Sequence, residues 1–132
     1  DREKVGEPSR PTLEKILDYL ADNLSAFDAV IVSDYSKGVV NEQLMIRLHQ
    51  LLNRLRSESG RPIPLIVDPK PANLHRFIGA TVITPNNHEA SMMSGLDIVD
   101  EQSLLAAARQ IREEIACEAV LITRGEAGMA LL

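Results

Sequence analysis

Four short apolar runs in this chain each end abruptly in polar residues. That repeated event constrains the fold more than any other feature. Val30-Ile31-Val32-Ser33 runs into Asp34-Tyr35-Ser36-Lys37-Gly38. Leu65-Ile66-Val67 runs into Asp68-Pro69-Lys70, and Thr81-Val82-Ile83 into Thr84-Pro85-Asn86-Asn87-His88-Glu89. Ala119-Val120-Leu121-Ile122 runs into Thr123-Arg124-Gly125-Glu126-Ala127-Gly128. Short aliphatic runs of this kind suit strands buried in a parallel sheet. In an open α/β sheet, ligands bind outside the carboxyl ends of the strands. The four tails are therefore expected to converge on one site.

Helical stripes separate the runs. Pro11 suits a first helical turn, and Leu13, Ile16, Leu17, Leu20 and Leu24 give one apolar face. Asn41 is a good N-cap for a second helix, whose stripe from Leu44 to Leu55 stops before Gly60. The stretch from Pro71 to Gly79 is short and predicts only a turn of helix near Asn73–Phe77. Asn86 starts a helix that Gly95 ends, and Asp100 caps the next, with Leu104, Ala108, Ile111 and Ile115 inward. Strands are expected over about 29–33, 65–67, 81–83 and 119–122. A fifth, from Met129 to Leu132, follows a turn too short for a crossover and should pair antiparallel with the fourth. The pattern predicts an α/β fold with a Rossmann-like parallel sheet and helices on both faces. Residues 1–10 read as a linker or arm. The chain stops within an apolar strand, which predicts an incomplete domain whose open edge promotes homo-oligomers.

A chain of 132 residues with 45% hydrophobic and 25% charged content is sized for one globular domain. The net charge of −5 argues against nucleic acid or an anionic membrane as the main partner. No run approaches the roughly 18 apolar residues of a membrane span. A lone cysteine, Cys117, fits a reduced, cytoplasmic setting.

The tails carry the candidate chemistry. Asp34 and Lys37 can bind hydroxyls and an anion together, or form a solvated turn in which Gly38 supplies an unusual backbone angle. Asp68 and Lys70 repeat the acid–lysine pairing. Lysine is a compact charge suited to phosphate, and the flanking Pro69 and Pro71 orient it, or the prolines merely stiffen a loop whose two charges are solvated. Asn86 and Glu89 lie one turn apart at a helix N-terminus. They can serve phosphate and Mg²⁺, or simply cap the helix. Thr123, Gly125 and Gly128 let backbone approach a ligand, or serve a plain β-turn. His88 reads as a surface histidine and His49 and His75 have no matching ligand spacing, so no zinc site is expected.

Taken in order, Ser33-Asp34-Tyr35-Ser36-Lys37-Gly38, Asp68-Pro69-Lys70, Thr84-Pro85-Asn86 with Glu89, and Thr123-Arg124-Gly125 with Gly128 resemble the ribokinase-like (phosphofructokinase-B type) sugar kinases. Within them the chain is most similar to the heptose-7-phosphate kinase domains of bifunctional ADP-heptose synthases. The resemblance spans roughly residues 1–132. It implies an ATP- and Mg²⁺-dependent kinase acting on a sugar phosphate in lipopolysaccharide core synthesis. It also implies that Lys70 and Asn86 bind phosphate, that Glu89 serves the metal, and that Thr123, Gly125 and Gly128 face nucleotide. Asp34 and Lys37 would face the sugar. Ser36 stands where that subgroup usually carries glycine. The family's catalytic base sits in a Gly-Ala-Gly-Asp motif that this sequence does not contain, so no catalytic residue is assigned. On this reading the chain is the central part of one kinase domain, with the sugar-holding lid before it and the catalytic part after it. A non-enzymatic α/β module that binds nucleotide or a partner at the same edge is the alternative.

Overall fold

The computed structural model describes residues 5–132. Residues 1–4 of the expected arm lie outside them. Helix α1 (Arg10–Asn23) precedes strand β1 (Val30–Ser33), then α2 (Glu42–Ser59) and β2 (Leu65–Asp68). A 3-10 segment over Pro71–Phe77 leads to the two-residue β3 (Val82–Ile83). Helices α3 (Asn87–Ser94) and α4 (Glu101–Ile115) then precede β4 (Ala119–Thr123) and β5 (Met129–Leu131). The sheet runs β1-β2-β3-β4-β5, with β1 to β4 parallel and β5 antiparallel to β4. This is the α/β fold class and closing antiparallel pair expected from the sequence.

Helix ends follow the sequence signals. Asn41 Oδ1 accepts from Leu44 N at 2.9 Å, and Asp100 Oδ1 accepts from Ser103 N at 2.7 Å. Gly60 and Gly95 close α2 and α3 in the left-handed region. The arm is shorter than expected, because α1 already begins at Arg10 behind a Ser9 cap.

Burial alternates sharply across the sheet. Leu65, Val67, Ile83, Val120 and Ile122 point into one continuous core with Met45, Leu48, Phe77, Ala90, Leu104, Ala108 and Ile111. The opposite face carries Ile31, 73% exposed, and Leu131, 69% exposed. Helices were expected on both faces, yet among the described residues the core lies on one face only. Strand order explains this. When each right-handed crossover steps to the next neighbour in the same direction, every connecting element falls on the same side. Helix α1 joins that layer by packing Leu13 and Leu17 against Leu44 of α2.

The two faces should respond differently to truncation. Ile83→Ala is expected to cost about 2–5 kcal/mol in urea unfolding, as a cavity in a closed core does. Ile31→Ala should stay within about 0.5 kcal/mol, as at an open surface.

Candidate functional site

The parallel ladder continues beyond the strand ends and ties the polar tails together. Asp34 N donates to Asp68 O at 3.0 Å, Thr84 N to Val67 O at 2.9 Å, and Thr123 N to Pro85 O at 3.0 Å. Asn86 and Thr123 also form an isolated parallel bridge. The four tails therefore lie side by side along the carboxyl edge.

Lys70 and Glu89 meet at the middle of that edge. Lys70 Nζ donates to Glu89 Oε1 at 2.8 Å, an ion pair across 19 residues of sequence. Glu89 is only 7% exposed, whereas the Lys70 side chain is 41% exposed. The second oxygen, Glu89 Oε2, accepts from Asn86 N at 2.9 Å, and Asn86 Oδ1 accepts from Glu89 N at 2.8 Å. Those two bonds are a complete capping box at the start of α3. Glu89 thus caps the helix and pairs the lysine at once. The hydrogen-bonded Glu89 carboxylate holds the Lys70 ammonium above the usual lysine range, and Asp68 and Asp34 add to the effect.

The last tail forms a tight glycine turn. Gly125 has φ 57° and Gly128 φ 79° with ψ −133°, a combination open in practice to glycine alone. Arg124 N donates to Gly128 O at 2.8 Å and closes the turn. Apart from the flanking residues, no described atom lies within 4 Å of where a Cβ at either glycine would stand, so the backbone of this turn is open to approach. A hollow of about 170 Å³ beside it is lined by Asn87, Asp100, Arg124 and Ala127.

The first tail is built around a buried acid. Asp34 is 2% exposed, and its Oδ1 accepts from Ser36 N at 2.8 Å while Oδ2 accepts from Asn73 Nδ2 at 2.7 Å. Ser36 has φ 54°, the left-handed conformation that favours glycine. The Asp34 bond to its amide holds serine there. Lys37 lies at the outer part of the loop, beside a hollow of about 320 Å³ lined by Ser33, Tyr35, Val39 and Val40. Gly6 N donates to Lys37 O at 3.0 Å, so the arm crosses this loop.

The structure thus brings Lys70, Asn86, Glu89 and Thr123 together and places Asp34 and Lys37 on the neighbouring loop. Sequence reasoning missed Asn73 and Arg76, both in the 3-10 segment. Arg76 Nη1 donates to Val40 O at 3.0 Å, and neither long-range bond has a local sequence signal. Another hollow, of about 290 Å³, lies near His49, Thr81 and Glu118 at the opposite end of the strands, away from the polar tails.

Both oxygens of Glu89 are engaged, and no three His, Cys, Asp or Glu residues form a metal cage among the described residues. A Mg²⁺ ion takes most of its ligands from water and phosphates, so such an ion would need only one protein oxygen here, which Glu89 could offer by giving up its bond to Lys70.

The model of the pfkB family of carbohydrate kinases matches residues 5–132. The chain belongs to that family. Two relatives are bifunctional proteins HldE, from Citrifermentans bemidjiense at 39% identity and from Desulfatibacillum aliphaticivorans at 40%, each over 99% of this chain and 26% of the relative. The chain thus spans about a quarter of their length. Among solved structures, phosphofructokinase-2 from Escherichia coli in complex with fructose-6-phosphate superposes with TM-score 0.59 at 17% identity, over 90% of this chain and 39% of that one. The pyridoxal kinase from Leishmania donovani in complex with ADP and pyridoxamine gives 0.69 at 19%, over 88% and 44%. At these identities the likeness concerns the fold, which is of the ribokinase type.

The Lys70–Glu89 pair has a pH signature. Because the Lys70 value is raised on folding, its stabilisation is fully present below about pH 10.5 and fades as pH rises through the folded-state value. Lys70→Met should therefore cost below about 1 kcal/mol at pH 8, given the lysine's exposure. In urea titrations that difference should shrink as the pH passes the ordinary lysine value.

Proposed function

We propose that the protein carrying this chain is an ATP-dependent kinase acting on D-glycero-D-manno-heptose 7-phosphate. It phosphorylates the C1 hydroxyl on the way to ADP-heptose for lipopolysaccharide core. Residues 1–132 are the central part of its single kinase domain. Family membership supports the carbohydrate kinase, and the HldE relatives support the branch. The observation that carries the reading is the row of tails along one carboxyl edge. There, Lys70 and Glu89 meet at 2.8 Å beside the start of α3 and the glycine turn.

Each residue has a physical task. Lys70 and the Asn86 end of α3 receive phosphate: a mobile point charge and a helix N-terminus both attract anions. A phosphate reaching Lys70 competes with Glu89 for the ammonium, which releases a Glu89 oxygen toward the cation side. Mg²⁺, when bound there, supplies neutralisation of phosphate charge. Thr123, Gly125 and Gly128 offer backbone to the nucleotide. Asp34 and Lys37 belong to the acceptor side. Phosphoryl transfer depends mainly on such positioning and charge neutralisation.

A coupled ATP assay of the full-length protein tests the reading. Saturable turnover is expected with heptose 7-phosphate, and background rates with fructose 6-phosphate and pyridoxal. Preference for either comparator would overturn the substrate. Absence of phosphotransfer from the pure, folded, full-length protein would favour a binding module. Glu89→Gln keeps the side-chain shape and should lower kcat at least about tenfold while raising the Mg²⁺ requirement. A fall in stability with unchanged activity per folded molecule would leave Glu89 as a cap only.

A further inference from the structure

The 3-10 segment Pro71–Phe77 holds the loop after β1 at both ends. Asn73 Nδ2 bonds Asp34 Oδ2 at 2.7 Å at the loop's start, and Arg76 Nη1 bonds Val40 O at 3.0 Å at its end. The same segment is fixed to Lys70, whose carbonyl accepts from Asn73 N at 2.9 Å. Asn73 therefore bridges the phosphate-side lysine and the loop that carries Lys37. Asp34 is 2% exposed, and its two oxygens are taken up by Ser36 N and Asn73 Nδ2. That burial and those two bonds turn the Asp34 carboxylate inward, toward its own loop and the 3-10 segment.

We propose that Asn73 is a positioning residue. Through Asp34 it sets the loop from Asp34 to Val40, and with it the placement of Lys37 relative to Lys70. Asp34 works as the buried post of this loop, not as a ligand of the sugar. The proposal rests on the reading of that loop as the acceptor side of a kinase, and it deepens that reading. It makes the requirement one of hydrogen-bond complementarity across the pair, not of negative charge at position 34. A donor facing an acceptor is needed, and an asparagine at either position can supply the donor to an aspartate at the other.

Exchange of the two side chains tests this. In Asp34→Asn alone, the new amide still accepts from Ser36 N, and Asn73 can rotate its amide to accept from the other side. In Asn73→Asp, two carboxylates face each other at a half-buried contact. In the double variant the bond returns with donor and acceptor reversed. In the full-length kinase, Asn73→Asp should raise acceptor KM about tenfold or more with ATP KM changed less than about twofold. The double variant should recover to within about threefold of the parent in acceptor KM, with Asp34→Asn falling between it and Asn73→Asp. Amide exchange at Ser36 in the full-length kinase should quicken in Asn73→Asp and recover in the double variant. Asn73→Ala adds no charge and serves if Asn73→Asp does not fold, with the same direction of change.

Loss of acceptor use in Asp34→Asn that the exchange does not restore would overturn the proposal in favour of direct contact with substrate. Unchanged Ser36 exchange in both Asn73 variants would overturn the bridge itself. Loosened exchange with unaltered acceptor KM would leave the bridge standing and sink the acceptor-side reading of the loop.

Discussion

Parallel pairing of β1 to β4 is the constraint on which the rest depends. Parallel strands need crossover connections, so each strand enters from the same end and each tail leaves at the other. The ladder then runs past the strands proper, through the amides of Asp34, Thr84 and Thr123. Segments that would be loose loops are thereby stitched edge to edge by backbone bonds that do not depend on side-chain identity. Side chains have only to fill places that the ladder has already fixed. A one-residue slip of β2 would move Asp68 and Lys70 relative to Ser33 and Glu89. It would also turn Leu65 and Val67 out of the core.

Glu89 shows how stability and proposed chemistry share one residue. Its two oxygens serve different purposes, one closing the helix start at Asn86 and the other meeting Lys70. Capping bonds of this kind contribute about 1 kcal/mol, while an ion pair with a half-exposed lysine contributes less. The lysine side of the pair is thus the one that a competing anion can take without unfolding the helix. The capping side keeps the carboxylate in place while that happens.

Much of this was legible in the sequence because it is local. The four apolar runs, the caps at Asn41, Asn86 and Asp100, and the glycines at 60 and 95 each announce an element within a few residues. The capping alternative for Glu89 and its meeting with Lys70 both belong to tails already singled out. What stayed hidden depends on separation. Asn73 reaches Asp34 across 39 residues, and Arg76 reaches Val40 across 36, with no periodicity to mark either. The one-sided placement of the core was hidden too, since an alternating strand shows that two faces differ but not which elements cover them. Ser36 was legible only as a departure from a family pattern. The structure gives that departure its physical content, a serine at φ 54° held by an acid two residues earlier.

The crossing of the arm over Gly38 has a mechanical consequence. A methyl group added to Gly38 would stand 2.8 Å from Glu7 N and overlap the Gly6 backbone, while Gly6 N is bonded to Lys37 O. A side chain at position 38 would push the arm off the loop and break that bond, so the arm and the loop bearing Lys37 can lie this close only because residue 38 is glycine.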